Sequence, residues 1–105
     1  MPNIMKLMKQ AADMQRNMAK AQEELAERTV EFASGGGAVK ITAGGDGNIR
    51  SVSISPDVVK EGEAEMLEDL VLSAIIGVQE EAKKVAQEVM GKVTAGMNLP
   101  PGLGF

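Results

Sequence analysis

The fold is decided by residues 29–55, whose sequence is TVEFASGGGAVKITAGGDGNIRSVSIS. Apolar and polar residues alternate in three runs, which is the period of a β-strand with one buried face. Glycine-rich segments separate the runs and supply the positive φ angles that tight hairpins need. The stretch therefore predicts a three-stranded antiparallel meander. Ile49 is out of phase with the third run, which predicts a bulge there or a side chain on the other face.

A long helix is predicted before the sheet, from Ile4 to about Glu27, with Asn3 as its N-cap. Apolar or small residues recur in it at alternating spacings of three and four. This heptad pattern is typical of a helix that packs lengthwise on another helix. The positions of this heptad seam are Ile4, Leu7, Ala11, Met14, Met18, Ala21 and Leu25.

A second long helix is predicted after the sheet, from about Glu63 to Lys92. A short helical turn precedes it, in which Ser55 and Pro56 suit the cap and the first helical position. Residues 1–96 are expected to form a single domain. Residues 97–105 contain two prolines and two glycines and are expected to be a flexible C-terminal tail. The apolar line of the second helix is Leu67, Val71, Ala74, Val78, Ala82, Val85, Val89 and Val93.

The predicted fold class is α+β: long helix, three-stranded antiparallel meander, long helix. Helices of ~24 and ~30 residues would extend roughly 36 and 45 Å, whereas a six-residue strand covers only ~20 Å. The two helices should therefore lie antiparallel and project beyond the sheet as an arm. A lone three-stranded sheet is marginally stable, so we expect a homodimer through the sheet region, by its edge or its face. The expected interface residues are Val30, Phe32, Val39, Ile41, Val52 and Ile54.

The composition excludes several classes of function. The chain has no cysteine and no histidine, so the usual general base, thiol nucleophile and commonest transition-metal ligands are missing. Neither a signal peptide nor an apolar run of roughly 20 residues is present, as a secreted or membrane-spanning chain would need. We therefore expect a cytoplasmic protein that is not an enzyme, with no cofactor, no metal and no small-molecule substrate.

The net charge of −4 is distributed unevenly along the chain. Residues 1–20 carry a net +3 and residues 83–105 a net +2, which leaves −9 for residues 21–82. If the helices are antiparallel, both basic segments fall at the distal end of the arm. Such a basic tip suits phosphate contact, although lysines on an exposed helix face are also ordinary solubilising residues. The candidate DNA-binding residues are Lys6, Lys9, Arg16, Lys20, Lys83, Lys84 and Lys92.

The sequence resembles the YbaB/EbfC family of nucleoid-associated proteins in several segments. These are MKLMKQA at 5–11, QEEL at 22–25, GGAVKIT at 36–42, GDG at 45–47, EMLEDLV at 65–71, MGKVT at 90–94 and NLP at 98–100. The resemblance covers nearly the whole chain in the same order. It implies a bacterial protein of the cytoplasm and nucleoid that binds duplex DNA as a homodimer. It also implies that basic residues on the projecting helices contact the DNA.

A second function remains open on the sequence. A helix–hairpin–helix with methionine-rich arms broadly resembles prefoldin-type chaperones, whose arm tips grip apolar chains. The chain could thus be a protein-binding clamp or holdase. What the tips expose decides between the two, because lysines favour DNA and apolar residues favour a protein client.

Overall fold

The computed structural model describes residues 3–96. Within this range the elements follow the predicted order, which confirms the α+β fold class. They are α1 (Ile4–Glu27), β1 (Thr29–Ser34), β2 (Val39–Gly44), β3 (Ile49–Ile54), α2 (Pro56–Glu61) and α3 (Ala64–Gly96). The predicted tail at 97–105 lies outside the described residues.

The helices begin where the sequence provides caps. The Asn3 side chain accepts a hydrogen bond of 3.3 Å from a backbone N–H in the first turn of α1. Ser55 accepts a hydrogen bond of 3.3 Å at the start of α2.

α3 continues to Gly96 rather than ending at Lys92, and passes through Gly91. A glycine costs a helix only about 1 kcal/mol, so a single one does not end it.

The three strands form an antiparallel sheet in the order β1-β2-β3. Ile41 in the central strand pairs with Phe32 on one side and with Val52 on the other. The register shifts beside Ala43, which pairs with Ile49. A bulge at this point confirms the out-of-phase position of Ile49.

The core lies between α3 and the first two strands. A Cβ atom added to Gly77 of α3 would come within 2.2 Å of the Phe32 ring, so helix and strand approach at a distance that only glycine permits. At the end of β1 the Ser34 hydroxyl donates a 2.7 Å hydrogen bond to the carbonyl oxygen of Leu70, which satisfies this buried polar group. The buried core residues are Val30, Val39, Ile41, Ala43, Ala74, Val78 and Ala82.

α1 and α3 form the predicted arm, and the molecule is elongated, with extents of 72 × 24 × 16 Å. Ala21 and Leu25 of α1 are buried together with Val89 of α3. The rest of the heptad seam is less well covered: Ile4 is 68% exposed and Leu7 is 55% exposed. This corrects the expectation for the seam, which packs on α3 only over its second half.

The arm meets the sheet at Gly45. A Cβ atom there would lie 2.9 Å from the carbonyl oxygen of Leu25 and 3.0 Å from Cγ1 of Val85. The N–H of Gly45 donates a 3.0 Å hydrogen bond to the carbonyl of Arg28. The Arg28 guanidinium in turn lies 3.6 Å from a carboxylate oxygen of Glu88 on α3. Close backbone packing and this ion pair hold both helices against the same corner of the sheet.

Candidate nucleic-acid interface

Basic residues lie along the exposed side of α1. Lys6, Lys9, Arg16 and Lys20 are all exposed, whereas Ala21 is buried against α3. Helical geometry places these four cations away from the apolar seam, and fourteen residues separate the first from the last. At 1.5 Å per residue they cover about 21 Å of the arm. The structure therefore brings these predicted residues together as one stripe, which we call the basic stripe.

The cations of the stripe differ in their ion pairing. Arg16 lies 3.0 Å from a carboxylate oxygen of Asp13, one turn earlier. Among the residues whose side chains the structure describes, Lys6, Lys9 and Lys20 form no ion pair. The lysine charges are thus available to an external anion, while the Arg16 charge is partly offset.

Lys92 joins the stripe from the other helix. Lys20 and Lys92 both line a shallow groove between α1 and α3, whose other polar residues are Asn17 and Glu24. No ion pair of Lys92 is found within the described part of the chain. The antiparallel packing therefore puts one α3 lysine and one α1 lysine on the same groove of the arm.

Lys83 and Lys84 lie elsewhere, which corrects the prediction that residues 83–105 all belong to the distal end. Their neighbour Ala82 is part of the core beneath α3, and Val85 lies beside Gly45 of the sheet. Each lysine also has a carboxylate partner one turn away, at 3.7 Å for Lys83 and 3.4 Å for Lys84. α3 begins over the sheet and leaves it only after this point, so these two charges belong to the base of the arm.

The six residues expected at a dimer interface divide into two groups. Val30, Phe32, Val39 and Ile41 face α3 of the same chain and are buried or half-buried there. Val52 and Ile54 of β3 are 52% and 37% exposed. Val52 and Ile54 pair with Ile41 and Val39, so all four lie on the same face of the sheet. α3 covers this face over β1 and β2. Of the six predicted interface residues, only Val52 and Ile54 offer apolar surface to a second copy.

The α3 helix adds apolar surface that the sequence analysis did not assign to an interface. Leu67, Val71, Leu72 and Ile75 line a shallow groove along this helix. Gly77 faces β1, and helical spacing places the groove on a side of α3 turned away from Gly77. β3 is the edge strand on the far side of the sheet from β1. The signal available in the sequence was that Leu72 and Ile75 add apolar residues beside the predicted apolar line of this helix.

Arg50 is a second residue that the sequence analysis missed. It lies at the bulge of β3, and its guanidinium donates hydrogen bonds to the hydroxyl of Thr29, at 2.9 Å, and to the carbonyl oxygen of Ala26. Ala26 is in the last turn of α1, where carbonyl groups lack helical partners and the helix dipole favours a positive charge. Arg50 thus anchors the basic arm to the sheet.

Within residues 3–96, no helix has the length and apolar character that crossing a membrane requires. The same part of the chain contains no cluster of three acidic side chains that could hold a metal ion.

A projecting helical arm with exposed lysines, on a body rich in carboxylates, is typical of a nucleic-acid-binding protein. The model of the YbaB/EbfC DNA-binding family matches residues 1–97, and the chain belongs to this family. Membership of a DNA-binding family agrees with the expectation of a non-enzymatic protein and confirms the resemblance noted in the sequence.

Bacterial relatives support the assignment over the full length. A nucleoid-associated protein of Akkermansia muciniphila is 43% identical over 103 residues, which cover 98% of this chain and 99% of the relative. The nucleoid-associated protein NMA1657 of Neisseria meningitidis serogroup A is 47% identical over 100 residues, which cover 93% and 88%.

A solved structure shares the fold. The crystal structure of the uncharacterized protein HP0035 from Helicobacter pylori matches with a TM-score of 0.78. The match covers 88% of this chain and 97% of that one at 15% sequence identity. At this identity the likeness supports the architecture alone.

Proposed function

We propose that this protein binds duplex DNA in the bacterial nucleoid as a homodimer, mainly through contacts between its arm lysines and phosphates. The observation that carries the proposal is the set of exposed lysines on the arm that form no ion pair with any described residue: Lys6, Lys9, Lys20 and Lys92. Lysine–phosphate contact is electrostatic and largely independent of DNA sequence.

The distribution of charge favours binding by the arms alone. Residues 21–82 carry a net −9, and the sheet and the first part of α3 lie within them. This body repels DNA, so a bound duplex would contact the protein where lysines outnumber carboxylates. Lys83 and Lys84, paired at the base of the arm, would contribute less than the four unpaired lysines.

A duplex is favoured over single strands because the basic stripe has no aromatic residue on which bases could stack. The chain contains only two, Phe32 and Phe105. Phe32 packs against the core beneath α3. Proteins that bind single strands stack bases on exposed aromatic side chains, and the basic stripe contains none. Backbone contact with a duplex requires only the positive charges that the stripe provides.

Homodimer formation is supported by the uncovered face of β3. Val52 and Ile54 are exposed, and α3 carries a further apolar groove on a side turned away from β1. An exposed apolar face next to an unpaired strand edge is an energetic liability that a second copy would remove. A symmetric pair would carry two basic arms, and two arms on one duplex bind more tightly than one.

A salt series tests the proposal. Each phosphate contact lowers the slope of log affinity against log salt by about 0.9, so four lysines on one arm predict a slope near −3.6. Replacing Lys6, Lys9, Lys20 and Lys92 together by alanine should abolish most of this dependence. Lys60→Ala on α2 is the matched control, because that lysine lies outside the arm. Equal affinity of the fourfold variant and the control would refute the proposal.

The protein-binding clamp is the second candidate, and one observation favours it. The beginning of α1 exposes apolar residues as well as lysines: Met5 is 80% exposed and Met8 is 67% exposed. Apolar contact is insensitive to ionic strength, unlike phosphate contact. Suppression of aggregation of an unfolded client that persists in 1 M salt (a concentration at which surface charges are screened beyond about 3 Å) would favour the clamp.

A further inference from the structure

The groove between α1 and α3 is lined by groups that can donate hydrogen bonds to an anion. Lys20 and Lys92 bring one ammonium group from each helix, and Asn17 brings a neutral amide from α1. Asn17 is half-buried, and its side chain forms no hydrogen bond with any residue that the structure describes. The groove also includes the buried residues Ala21 and Val89. Ammonium and amide groups beside an apolar surface suit the oxygen atoms of a phosphate.

A carboxylate also lines this groove and would repel an anion there. Glu24 lies one turn after Lys20 on α1, yet the two form no ion pair. A carboxylate oxygen of Glu24 lies instead 3.9 Å from the guanidinium of Arg28, one turn further along the helix. The order of the residues favours this choice, because a glutamate pairs better with a cation four residues later than with one four residues earlier. The Glu24 carboxylate is therefore paired toward the base of the arm.

Arg28 is fixed in a position from which it can hold carboxylates of both helices. It caps the end of α1, where the helix dipole favours a positive charge, and its carbonyl oxygen accepts the hydrogen bond from Gly45 of the sheet. One terminal nitrogen of its guanidinium lies 3.9 Å from Glu24, and the other lies 3.6 Å from Glu88 of α3. A guanidinium has several nitrogens in a fixed plane and can serve two carboxylates at once. Arg28 thus offsets two negative charges beside the groove.

We propose that this groove binds one phosphate of the DNA backbone, held by Lys20, Lys92 and the amide of Asn17. Arg28 is a positioning residue of this site: it does not touch the phosphate but keeps the Glu24 carboxylate paired outside the groove. The inference rests on the proposed function and extends it, because charge alone points neither to a neutral donor nor to a cation that acts through a carboxylate.

The width of the arm favours a backbone phosphate over a base edge as the ligand. The groove is formed by both helices, so both must face the DNA for it to be filled. Two packed helices are about 20 Å wide, whereas the major groove is about 12 Å wide. This part of the arm can therefore lie across the phosphates but cannot enter the groove of the duplex.

A double-mutant cycle on DNA affinity tests the role of Arg28. Arg28→Gln should lower the affinity for a labelled duplex by up to about fivefold at low salt, because the released Glu24 carboxylate can then approach the two lysines. Glu24→Gln should restore the affinity in that background, with a gain at least about twofold larger than in the unmodified protein. Charges that act only through the overall potential are additive, so the coupling reports a displaced carboxylate.

Glu27→Gln is the matched control for Glu24→Gln. Glu27 is exposed on the same helix, does not line the groove, and forms no ion pair with a described residue. Arg28→Gln/Glu27→Gln has the same net charge as Arg28→Gln/Glu24→Gln and should keep the low affinity. Equal affinities of these two variants would overturn the role of Arg28. An affinity lost through disturbed packing would likewise not be restored by Glu24→Gln.

The amide of Asn17 gives an independent measurement. Asn17→Ala should lower the affinity by about two- to tenfold, as expected for one hydrogen bond. The salt slope should stay unchanged, because a neutral donor releases no counterion. Gln22→Ala is the matched control, since Gln22 is an exposed amide of α1 that does not line the groove. Equal affinities of the two variants would remove Asn17 from the site and overturn the inference.

This inference and the proposed function can fail separately. Suppose that alanine at Lys6, Lys9, Lys20 and Lys92 abolishes the salt-dependent binding, while the Arg28 cycle shows no coupling and Asn17→Ala has no effect. The arm would then bind DNA without this groove, and only the inference would be refuted. If the fourfold variant instead binds DNA as well as Lys60→Ala does, both are refuted.

Discussion

The ring of Phe32 on β1 lies against Gly77 of α3 so closely that a methyl group on the glycine would come within 2.2 Å of the ring. This contact sets the distance between the helix and the sheet. It also directs α3 along β1 and β2, so that β3 is left uncovered and the helix continues past the sheet into the arm. One glycine in the middle of a helix thus influences both the exposed face and the basic arm.

Replacing Gly77 by alanine should destabilise the protein. Alanine gains about 1 kcal/mol of helix propensity, but overpacking against the Phe32 ring costs typically 1–3 kcal/mol, so we expect a net loss. Urea unfolding measures the difference. Gly91→Ala is the control, because a Cβ atom there meets nothing within 4 Å, and it should stabilise instead. Stabilisation by both substitutions would contradict the close packing.

Removing the Arg50 guanidinium should weaken the joint between α1 and the sheet. Arg50→Ala leaves the Ala26 carbonyl without its side-chain donor. Because Arg50 is exposed, water replaces part of the interaction, and we expect a loss of about 0.5–1.5 kcal/mol. Urea unfolding gives the magnitude, with Lys60→Ala as a control of similar exposure. Equal stability of the two variants would show that the cap contributes nothing.

Two pairs of lysines should differ in their effect on DNA affinity. Lys20→Ala/Lys92→Ala removes two unpaired charges from the groove of the arm, and should reduce the salt slope by about 1.8 for each arm that contacts DNA. Lys83→Ala/Lys84→Ala removes the same charge from the base of the arm, where both lysines are paired. Fluorescence anisotropy with a labelled duplex compares them. A larger effect of the second pair would move the interface toward the sheet.

Neutralising Asp13 should strengthen DNA binding. The Asp13→Asn substitution removes the only negative charge among residues 1–20 and releases Arg16 from its 3.0 Å ion pair. A surface ion pair contributes about 0.2–1 kcal/mol, so we expect affinity to rise by up to about fivefold at low salt. The gain should vanish as salt increases. Weaker binding by this variant would argue against the basic stripe as the contact surface.

A charge on the exposed face of β3 should prevent dimer formation. Val52→Asp places a carboxylate on the exposed apolar face of β3, and burial of an unpaired charge at an interface is costly. Ser53→Asp is the matched control, because neighbouring residues of a strand point to opposite faces. Mass measurement by light scattering should show a monomer for the first variant and a dimer for the second. A dimer in both cases would place the interface elsewhere.

Local sequence determined the elements of this protein. Helix caps at Asn3 and Ser55, alternation in the strands and glycines in the turns each act over a few residues, so their effects can be predicted without a tertiary structure. The out-of-phase position of Ile49, for which the sequence left a bulge or the other face as alternatives, was visible for the same reason. The stripe formed by Lys6, Lys9, Arg16 and Lys20 follows from helical spacing alone.

Tertiary structure decided how far each element reaches and what covers it. The heptad seam of α1 could not show that Ala21 and Leu25 are buried against α3 while Ile4 and Leu7 stay exposed, because a hydrophobic pattern shows that a residue suits an apolar partner and not which partner meets it. The positions of Lys83 and Lys84 at the base of the arm depend on where α3 leaves the sheet. That point is fixed by contacts between residues distant in sequence, such as Phe32 with Gly77 and Leu25 with Gly45. The sequence thus determines which residues carry a positive charge, and the packing of α3 on the sheet and on α1 determines where those charges lie.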